Sequence, residues 1–284
     1  MRCKLADICS KIGSGATPRG GKEAYCEKGI SLVRSQNVLD FSFSHDGLAF
    51  INNEQAAKLS NVEVFDGDIL LNITGDSVAR ACIMDSAFLP ARVNQHVAIV
   101  RGRKSHVLNR YLLYFLQWQK GYLLQLASAG ATRNALTKGM LEQLEIDLPS
   151  LDEQKRIVAM LGALDDKIEL NNKINENLEQ QATAIFKSWF IDYLPYGGIV
   201  PNEWRTVTLD DITSLVSRGI NPQYSDNTDQ IVINQKCIRN HMLDLSLART
   251  HTPRTINEKW LQFGDLLINS TGTGTLGRVA QVWF

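Results

Sequence analysis

A chain of 284 residues is long enough for roughly two domains of ordinary size. Its hydrophobic content of 44% and charged content of 21% exclude a mainly disordered chain. The 30 basic and 30 acidic residues balance, so total charge gives no indication of a nucleic-acid partner, although residues 1–150 carry a small positive excess.

The cysteines indicate neither a metal site nor a disulfide framework. The chain has five cysteines without C-x-x-C spacing, and its histidines do not cluster beside them. The amino-terminal residues lack a signal pattern, and the most apolar run, residues 111–126, is shorter than the ~20 residues of a membrane span. We therefore expect a reduced, cytoplasmic setting, and we predict that this run is a buried helix interrupted near Gly121.

The first 150 residues have the pattern of an α+β domain with a mixed sheet. Short apolar runs bounded by glycine and polar residues predict strands, and longer apolar stretches predict helices. The predicted strands are 30–38, 68–73, 79–84 and 95–101. The predicted helices are 109–127 and 137–143, and a much longer helix follows them.

The start of the long helix is encoded at residues 150–153. Pro149 closes the first region, and Ser150 with Glu153 forms an S-x-x-E capping box, in which each side chain can bond a free backbone N–H. We therefore predict a helix from Leu151 to about Phe190. At ~1.5 Å per residue, such a helix would be about 60 Å long.

One face of this helix carries the seam of a coiled coil. The seam positions alternate in steps of four and three residues, which predicts packing against a partner helix. They are Ile157, Leu161, Leu164, Ile168, Asn171, Asn175, Leu178, Ala182, Ile185 and Trp189. An apolar seam is unstable in water, so the helix needs a partner, and the sequence contains no second helix of this type. The two asparagines either fix the register against a facing polar group or are solvated.

The opening pattern of the chain returns about 200 residues later. A set of five positions recurs at a constant offset of 204 residues: Leu5, Asp7, Ile8, Gly15 and Pro18 return as Leu209, Asp211, Ile212, Gly219 and Pro222. Residues 65–75 (FDGDILLNITG) are echoed by residues 263–272 (FGDLLINSTG). This period is too long for a solenoid, so each copy should be a whole domain.

At the junction and along the helix, the residues resemble a known family. Residues 149–157 (PSLDEQKRI) look like the P-x-L-x-E-Q-x-x-I junction of type I restriction-modification specificity subunits, and residues 161–190 are similar to the helical conserved region that follows it. The order of domain, helix and second domain also matches. The resemblance covers essentially the whole chain, and it is specific at the junction and helix but weaker inside the domains.

The resemblance divides the chain into three parts. It implies a first target recognition domain at 1–148, a conserved long helix at 149–192 and a partial second recognition domain at 200–284. The family's usual order is domain, helix, domain, helix, and Phe284 falls inside the second domain. The expectation is therefore a half-type subunit, in which two chains pair their seams, or else a fragment.

The resemblance also implies recognition without catalysis. The recognition domains would read base edges of double-stranded DNA, and the helix would set the distance between two half-sites, which makes the DNA site bipartite. Methyltransferase and restriction subunits would be the partners, and they would use S-adenosylmethionine, ATP and magnesium. No catalytic residue, metal, cofactor or membrane contact is expected in this chain.

Side-chain chemistry narrows the candidates for DNA contact under this resemblance. Arg and Lys suit guanine, Asn and Gln suit adenine, and Ser and Thr adapt to either. Such residues concentrate in turn-like stretches of the first domain. The candidates are Thr17, Arg19, Lys22, Arg34, Ser35, Gln36, Asn37, Asn72, Thr74, Arg80, Arg92, Asn94, Gln95, Arg133 and Asn134. For any one of them, the alternative is a solvated loop charge or a turn-forming amide.

Two motif matches point to enzymes, but neither has the right context. Residues 272–277 (GTGTLG) satisfy G-x-G-x-x-G, yet a strand-like sequence follows them, so we predict a glycine-rich hairpin turn. Residues 221–224 (NPQY) depart from the N-P-P-[YF] motif of amino-methyltransferases at Gln223, and we predict a turn there too. Asp68, which recurs as Asp265, is expected to cap a turn and not to bind a metal.

Two other classes of function remain as alternatives. One is a scaffold whose coiled coil only tethers other proteins. The other is a stand-alone nuclease or methyltransferase.

Overall fold

The computed structural model describes residues 2–18, 20–128, 135–255 and 258–284, without the side chains of residues 21 and 22. The chain forms two compact units, Met1–Phe186 and Lys187–Phe284. We call them unit 1 and unit 2.

Short strands and helices precede one long helix. In chain order, the elements are β1 (Arg2–Lys4), α1 (Leu5–Ile8), β2 (Cys9–Ser14), β3 (Ile30–Val33), β4 (Ala49–Ile51), α2 (Asn53–Lys58), β5 (Glu63–Val64), β6 (Ile69–Asn72), β7 (Ala81–Ile83), β8 (Ala91–Val93), β9 (Val97–Gly102), α3 (Asn109–Trp118), α4 (Lys120–Ser128), α5 (Lys138–Glu142), β10 (Glu145–Asp147) and α6 (Leu151–Phe190). The predicted α+β class is confirmed.

Two four-stranded sheets form the centre of unit 1. The first has the order β2–β9–β6–β7, and all its neighbours are antiparallel. The second has the order β4–β3–β8–β5 and is mixed, because β3 and β8 run parallel. The consecutive strands β8 and β9 therefore belong to different sheets, and the three residues between them cross from one sheet to the other.

Strand β6 is buried on both faces. Leu70 packs into the apolar core between the two sheets, whereas Ile69 and Leu71 pack into a second core that contains Leu112 and Leu116 of α3. All five side chains are fully buried. Because successive side chains of a strand point to opposite faces, a continuous apolar run fits a strand with a layer on each side.

The cysteines take part in the packing as small apolar side chains. All five are free thiols, and only Cys26 is exposed among them. Burial raises the pKa of Cys9 to about 12 and the pKa of Cys82 to about 12. Thiolates react and bind metals far better than thiols, so these two side chains are chemically inert at neutral pH.

Most predicted elements of the first region are present at shorter lengths. The predicted strand at 30–38 ends at Val33, because Ser35–Asn37 form a 3-10 turn. The predicted helix at 109–127 is divided into α3 and α4, which meet at Gln119, close to the predicted interruption at Gly121. No helix in the described part of the chain has the length and apolar content needed to cross a membrane.

Unit 2 consists of a short helix and three two-stranded ladders. Its elements are α7 (Leu209–Ile212), β11 (Ile231–Val232), β12 (Ile238–Arg239), β13 (Met242–Leu243), β14 (Arg249–Thr250), β15 (Leu266–Ile268) and β16 (Val279–Gln281). The antiparallel pairs are β11–β14, β12–β13 and β15–β16. The small core of this unit contains Ile238, Leu243, Ala280 and Val282.

The repeated aspartate makes the same hydrogen bond in both units. A carboxylate oxygen of Asp68 accepts a hydrogen bond from the N–H of Phe65 at 2.7 Å, and Asp265 accepts one from Gln262 at 2.8 Å. Both aspartates thus cap the turn before a strand, as predicted. Asp68 is also bound by both arms of the Arg101 guanidinium, at 2.6 Å each.

The hairpins after these turns are also equivalent. The N–H of Ala79 donates to the carbonyl of Asn72 at 2.8 Å, and the N–H of Gly277 donates to the carbonyl of Asn269 at 2.9 Å. Residues 272–277 connect the antiparallel strands β15 and β16, and Gly277 has a φ of 79°. The prediction of a glycine-rich hairpin turn is therefore confirmed.

The long helix begins where the capping signal places it. α6 starts at Leu151, and the Oγ of Ser150 accepts a hydrogen bond from the N–H of Glu153 at 3.3 Å. The Glu153 carboxylate lies 3.4 Å from Arg156 on the next turn. The predicted start of the helix is confirmed.

Gln154 fixes the base of α6. Its side chain is fully buried, and its Nε2 donates to the carbonyls of His106 and Pro149 at 3.0 Å each. Its Oε1 accepts from the N–H of Leu108 at 2.9 Å. One amide thus satisfies three main-chain groups at the junction, which would otherwise be buried without partners.

A second contact holds α6 two turns further along. The guanidinium of Arg110 on α3 binds Asp166 at 2.9 Å, and the Tyr114 hydroxyl donates to Asp165 at 2.5 Å. Burial and the bond to Asp165 raise the pKa of Tyr114. A Cβ at Gly162 would lie 3.0 Å from the Arg110 guanidinium, so glycine at this helical position allows the close approach.

Replacing Gln154 by Ala should lower the free energy of unfolding of unit 1 by about 2–3 kcal/mol, because buried main-chain groups lose their partner. Urea denaturation followed by circular dichroism measures this change. The Gln180→Ala variant, on the exposed part of the same helix, is the control and should change stability by less than ~0.5 kcal/mol. Equal losses in the two variants would show that Gln154 is not an anchor.

Candidate nucleic-acid interface

Polar stretches of unit 1 meet at one end of the two sheets. The chain leaves β3, β6 and β8 at this end. The N–H of Asn94 donates to the carbonyl of Val33 at 3.0 Å, and the N–H of Ile73 donates to the carbonyl of His96 at 3.0 Å. We call this surface the polar end, and it comprises residues 15–18, 34–37, 72–80 and 94–96.

The stretch that contains Thr17 is held against β8. The N–H of Ala16 donates to the carbonyl of Val93 at 3.0 Å. A Cβ at Gly15 would lie 1.9 Å from the same carbonyl oxygen, so only glycine allows this approach. The glycine shared by the two sequence copies therefore has a structural reason in unit 1.

The 34–37 turn positions two candidate base-reading side chains. The N–H of Arg34 donates to Oδ1 of Asn37 at 3.1 Å, and Nδ2 of Asn37 donates to the carbonyl of Ser44 at 3.0 Å. The Arg34 guanidinium and the Gln36 amide both donate to the carbonyl of Gly47, at 2.5 and 3.3 Å. Arg34 and Gln36 are thus held at one turn before any ligand binds.

Asn72 ties this turn to the β6–β7 hairpin. Its Nδ2 donates to the carbonyl of Ser35 at 2.9 Å and to that of Val38 at 3.2 Å, and the residue is fully buried. In unit 2, Nδ2 of Asn269 donates to the carbonyl of Gln235 at 3.0 Å. The repeated asparagine therefore joins the same two parts of the fold in both units.

Thr74, Gln95 and His96 form a polar group beside this turn. Nδ1 of His96 lies 2.7 Å from the hydroxyl of Thr74, and its Nε2 lies 3.0 Å from the amide of Gln95. Oδ1 of Asn94 accepts from the N–H of His96 at 3.1 Å. His96 was not among the sequence candidates, although its position next to Asn94 and Gln95 could have drawn attention to it.

The sequence candidates fall into groups that differ in burial. The exposed ones are Thr17, Gln36 and Gln95, the half-buried ones are Arg34, Ser35, Thr74 and Arg80, and the buried ones are Asn37, Asn72, Arg92 and Asn94. Arg19, Arg133 and Asn134, together with the side chain of Lys22, lie outside the described residues. DNA contact by any of these residues stays a prediction.

Arg92 is turned into the fold. Its guanidinium lies 3.1 Å from the Glu63 carboxylate and donates to the carbonyls of Ala56 and Ala91, at 3.2 and 2.9 Å. This placement counts against a direct DNA contact, because a buried charge that leaves its partner is strongly destabilising. The buried amides of Asn37 and Asn72 likewise serve the scaffold of the polar end.

The seam of α6 is exposed beyond its base. Ile157 and Leu161 are half-buried, whereas Leu164 is 58% exposed and Ile168 is 59% exposed. The remaining seam residues of the block are also exposed: Asn171, Asn175, Leu178, Ile185 and Trp189. Such a stripe of apolar side chains at heptad spacing is typical of a helix that packs against another. Its pairing stays a prediction.

A second set of apolar side chains lies beside the seam. Met160, Leu170 and Ile174 are exposed and fall outside the seam positions. A single pairing helix covers mainly the seam. The apolar face of α6 is therefore wide enough for more than one neighbour.

The described residues contain no group of three His, Cys, Asp or Glu side chains that could hold a metal ion. The chemistry that the polar end offers is hydrogen bonding by amides, hydroxyls and a guanidinium.

Comparison with known proteins assigns this fold to a family. Residues 2–180 match the type I restriction modification DNA specificity domain. The chain is similar to the type I restriction enzyme MjaIX specificity subunit of Methanocaldococcus jannaschii, with 27% identity over 78% of this chain and 53% of that protein. It is also similar to the putative MjaX specificity subunit of the same organism, with 34% identity over 72% of this chain and 51% of that protein.

The chain thus spans about half the length of these two relatives. Among solved structures, the S subunit of a type I restriction-modification system from M. genitalium aligns with a TM-score of 0.51 and 14% identity. That alignment covers 100% of this chain and 69% of the other chain. At this identity, the likeness concerns the fold.

Replacing Asn72 by Ala should lower the free energy of unfolding of unit 1 by about 2 kcal/mol, since two buried carbonyls lose their donor. Urea denaturation measures the loss. The Gln95→Ala variant changes an exposed amide at the same polar end and should stay within ~0.5 kcal/mol of the parent protein. If Asn72→Ala were as stable as Gln95→Ala, Asn72 would not support the turn.

Proposed function

The chain belongs to the type I restriction-modification DNA specificity family, and from that membership we propose that it reads the DNA sequence for a type I restriction-modification complex. The polar end of unit 1 reads base edges in one short stretch of double-stranded DNA. A second recognition domain reads a second stretch, so that the whole site is bipartite.

The convergence of polar stretches at one end of unit 1 is the observation that carries this proposal. Amide and guanidinium groups are the side chains that discriminate adenine and guanine in a groove. Arg34 and Gln36 come from one turn and are held by the same carbonyl, that of Gly47. Groups fixed in advance lose little conformational freedom on binding, which favours specificity.

Catalysis belongs to other subunits in this proposal. A methyltransferase subunit and a restriction subunit carry out the reactions, using S-adenosylmethionine, ATP and magnesium in their own sites. The described residues of this chain contribute recognition and assembly, and the complex acts in the cytoplasm. Relatives that carry the name specificity subunit support this division of roles.

The long helix supplies the assembly surface in this proposal. The seam pairs with a second helix, either in another chain of this kind or in a longer subunit. The exposed Leu170 and Ile174 lie outside the seam, and they offer a place for a methyltransferase subunit. Two neighbours together would remove most of the exposed apolar side chains from water, which is the main driving force for such association.

Changing Arg34 or Gln36 to Ala should alter the selected DNA sequence at one position and leave assembly intact. A good contact to a base contributes about 1–3 kcal/mol of discrimination, which is roughly 5- to 150-fold in affinity. Selection from a library of gapped duplexes by the complex with its methyltransferase subunit measures this change.

The Lys155→Ala variant, on the exposed face of α6, is the control and should select the parent sequence. Unaltered selection by both Arg34→Ala and Gln36→Ala would remove the 34–37 turn from the reading surface. If no duplex were selected by the intact complex, a coiled-coil scaffold would be the better description.

Replacing Leu164 and Ile168 by Asp should abolish pairing of the helix and hence partner assembly, because two charges would be buried in the seam. Solution mass, determined by light scattering with and without the methyltransferase subunit, measures assembly. Replacing Lys167 and Lys173 by Asp introduces the same residues outside the seam and is the matched control. Unaltered mass of the seam variant would contradict the role of the stripe.

A further inference from the structure

Unit 2 has two strand edges whose counterparts in unit 1 are covered. Strand β6 lies between β7 and β9, whereas its repeat β15 pairs with β16 alone among the described residues. Strand β3 lies between β4 and β8, whereas β11 pairs with β14 alone among those same residues. The two strands that cover these edges in unit 1, β8 and β9, are consecutive in the chain.

A cleft in unit 2 lies between the open edges. It has a volume of about 470 Å³, and its walls include residues from 217–220, 229–235 and 266–269. The sequence repeat aligns these three stretches with the end of β2, with β3 and with β6. In unit 1, β9 separates β2 from β6, and β8 lies against β3. The cleft therefore has the position that β8 and β9 take in unit 1.

The side chains of β15 show the same difference. Leu266 is 67% exposed and Ile268 is 57% exposed, whereas their counterparts Ile69 and Leu71 are 0% exposed. Apolar side chains of a strand are rarely left this open, since burial of each one stabilises a protein by about 1.5–3 kcal/mol. The described part of unit 2 thus presents an apolar strand without a neighbour on one edge.

The backbone of β15 also points hydrogen-bonding groups into the cleft. The N–H of Asn269 donates to Arg278, and the carbonyl of Asp265 accepts from Val282, so these residues face β16. Residues of an antiparallel strand alternate between their two neighbours. The N–H groups of Leu266 and Ile268 therefore face the open edge. In unit 1, the alternation leads to the bond from Ile73 to His96.

We propose that unit 2 binds, by strand addition in this cleft, a segment of a second polypeptide with the chemistry of β8–β9: two short apolar strands joined by a polar loop. Main-chain hydrogen bonds to β15 and β11 provide affinity, and the alternating side chains provide specificity. No DNA takes part in this binding, so it stands or falls separately from sequence reading.

The test uses the full chain and a synthetic peptide of residues 88–103 (FLPARVNQHVAIVRGR). Hydrogen exchange measured by NMR reports each amide of β15. We expect saturable protection of the amides of Leu266 and Ile268 as peptide is added. Leu276, which lies in the turn between β15 and β16, should keep its exchange rate.

A modified peptide tests the hydrogen bonds without changing the protein. Ala98 and Val100 pair with Leu71 and Ile69 of β6 in unit 1. The same alternation makes their N–H groups face β6, so N-methylation of both residues should weaken binding at least about tenfold. Equal affinity of the methylated peptide would overturn strand addition.

Two variants of one residue test the protein side. Ile268→Pro removes the N–H that faces the cleft, and proline is tolerated at such an edge, while Ile268→Thr keeps the N–H. We expect about tenfold weaker binding for Ile268→Pro and near-parent binding for Ile268→Thr. Protection of the Asn269 amide in the free variant shows that the β15–β16 hairpin is intact.

Absence of protection at the amides of Leu266 and Ile268 by the unmodified peptide would overturn the proposal. Protection seen only when residues 88–103 are fused after Phe284, and not when the peptide is free, would also overturn it, because the segment would then have to belong to the same chain.

Discussion

The double burial of β6 is the constraint on which unit 1 depends. One face of this strand packs against the second sheet and the other face against α3, so both layers must be present for the strand to leave water. This requirement explains the continuous apolar run at residues 69–71, where a half-buried strand would alternate apolar and polar side chains. It also fixes where the chain can turn, because β8 and β9 must cross between the sheets beside β6.

The sequence alone indicated the elements whose signals are local. The start of α6 follows from Ser150 and Glu153, and the repeated Asp68 follows from its position before an apolar run. The strands β1, β5 and β10 are two or three residues long, and their pairing depends on distant partners. Arg2 at the start of the chain, for example, faces Asp147 in the β1–β10 ladder. No periodicity can reveal such pairs.

The candidate site shows a similar division. Polar residues between apolar runs marked the stretches that meet at the polar end, because such stretches form turns. The sequence could not separate displayed side chains from supporting ones. Asn72 and Gln36 are both amides in turns, yet Asn72 bonds a carbonyl 37 residues away and is buried, whereas Gln36 is exposed. That distinction depends on the tertiary neighbours of each amide.

The junction glutamine has a consequence for how such chains can diversify. Gln154 bonds main-chain atoms of His106, Leu108 and Pro149, so its anchoring requires the course of the backbone there and not particular side chains. A recognition module of different sequence could be spliced onto the same helix by genetic recombination, provided that it retains this backbone course and a cation such as Arg110 opposite the acidic pair. The root of the helix is thus a standard fitting for interchangeable heads.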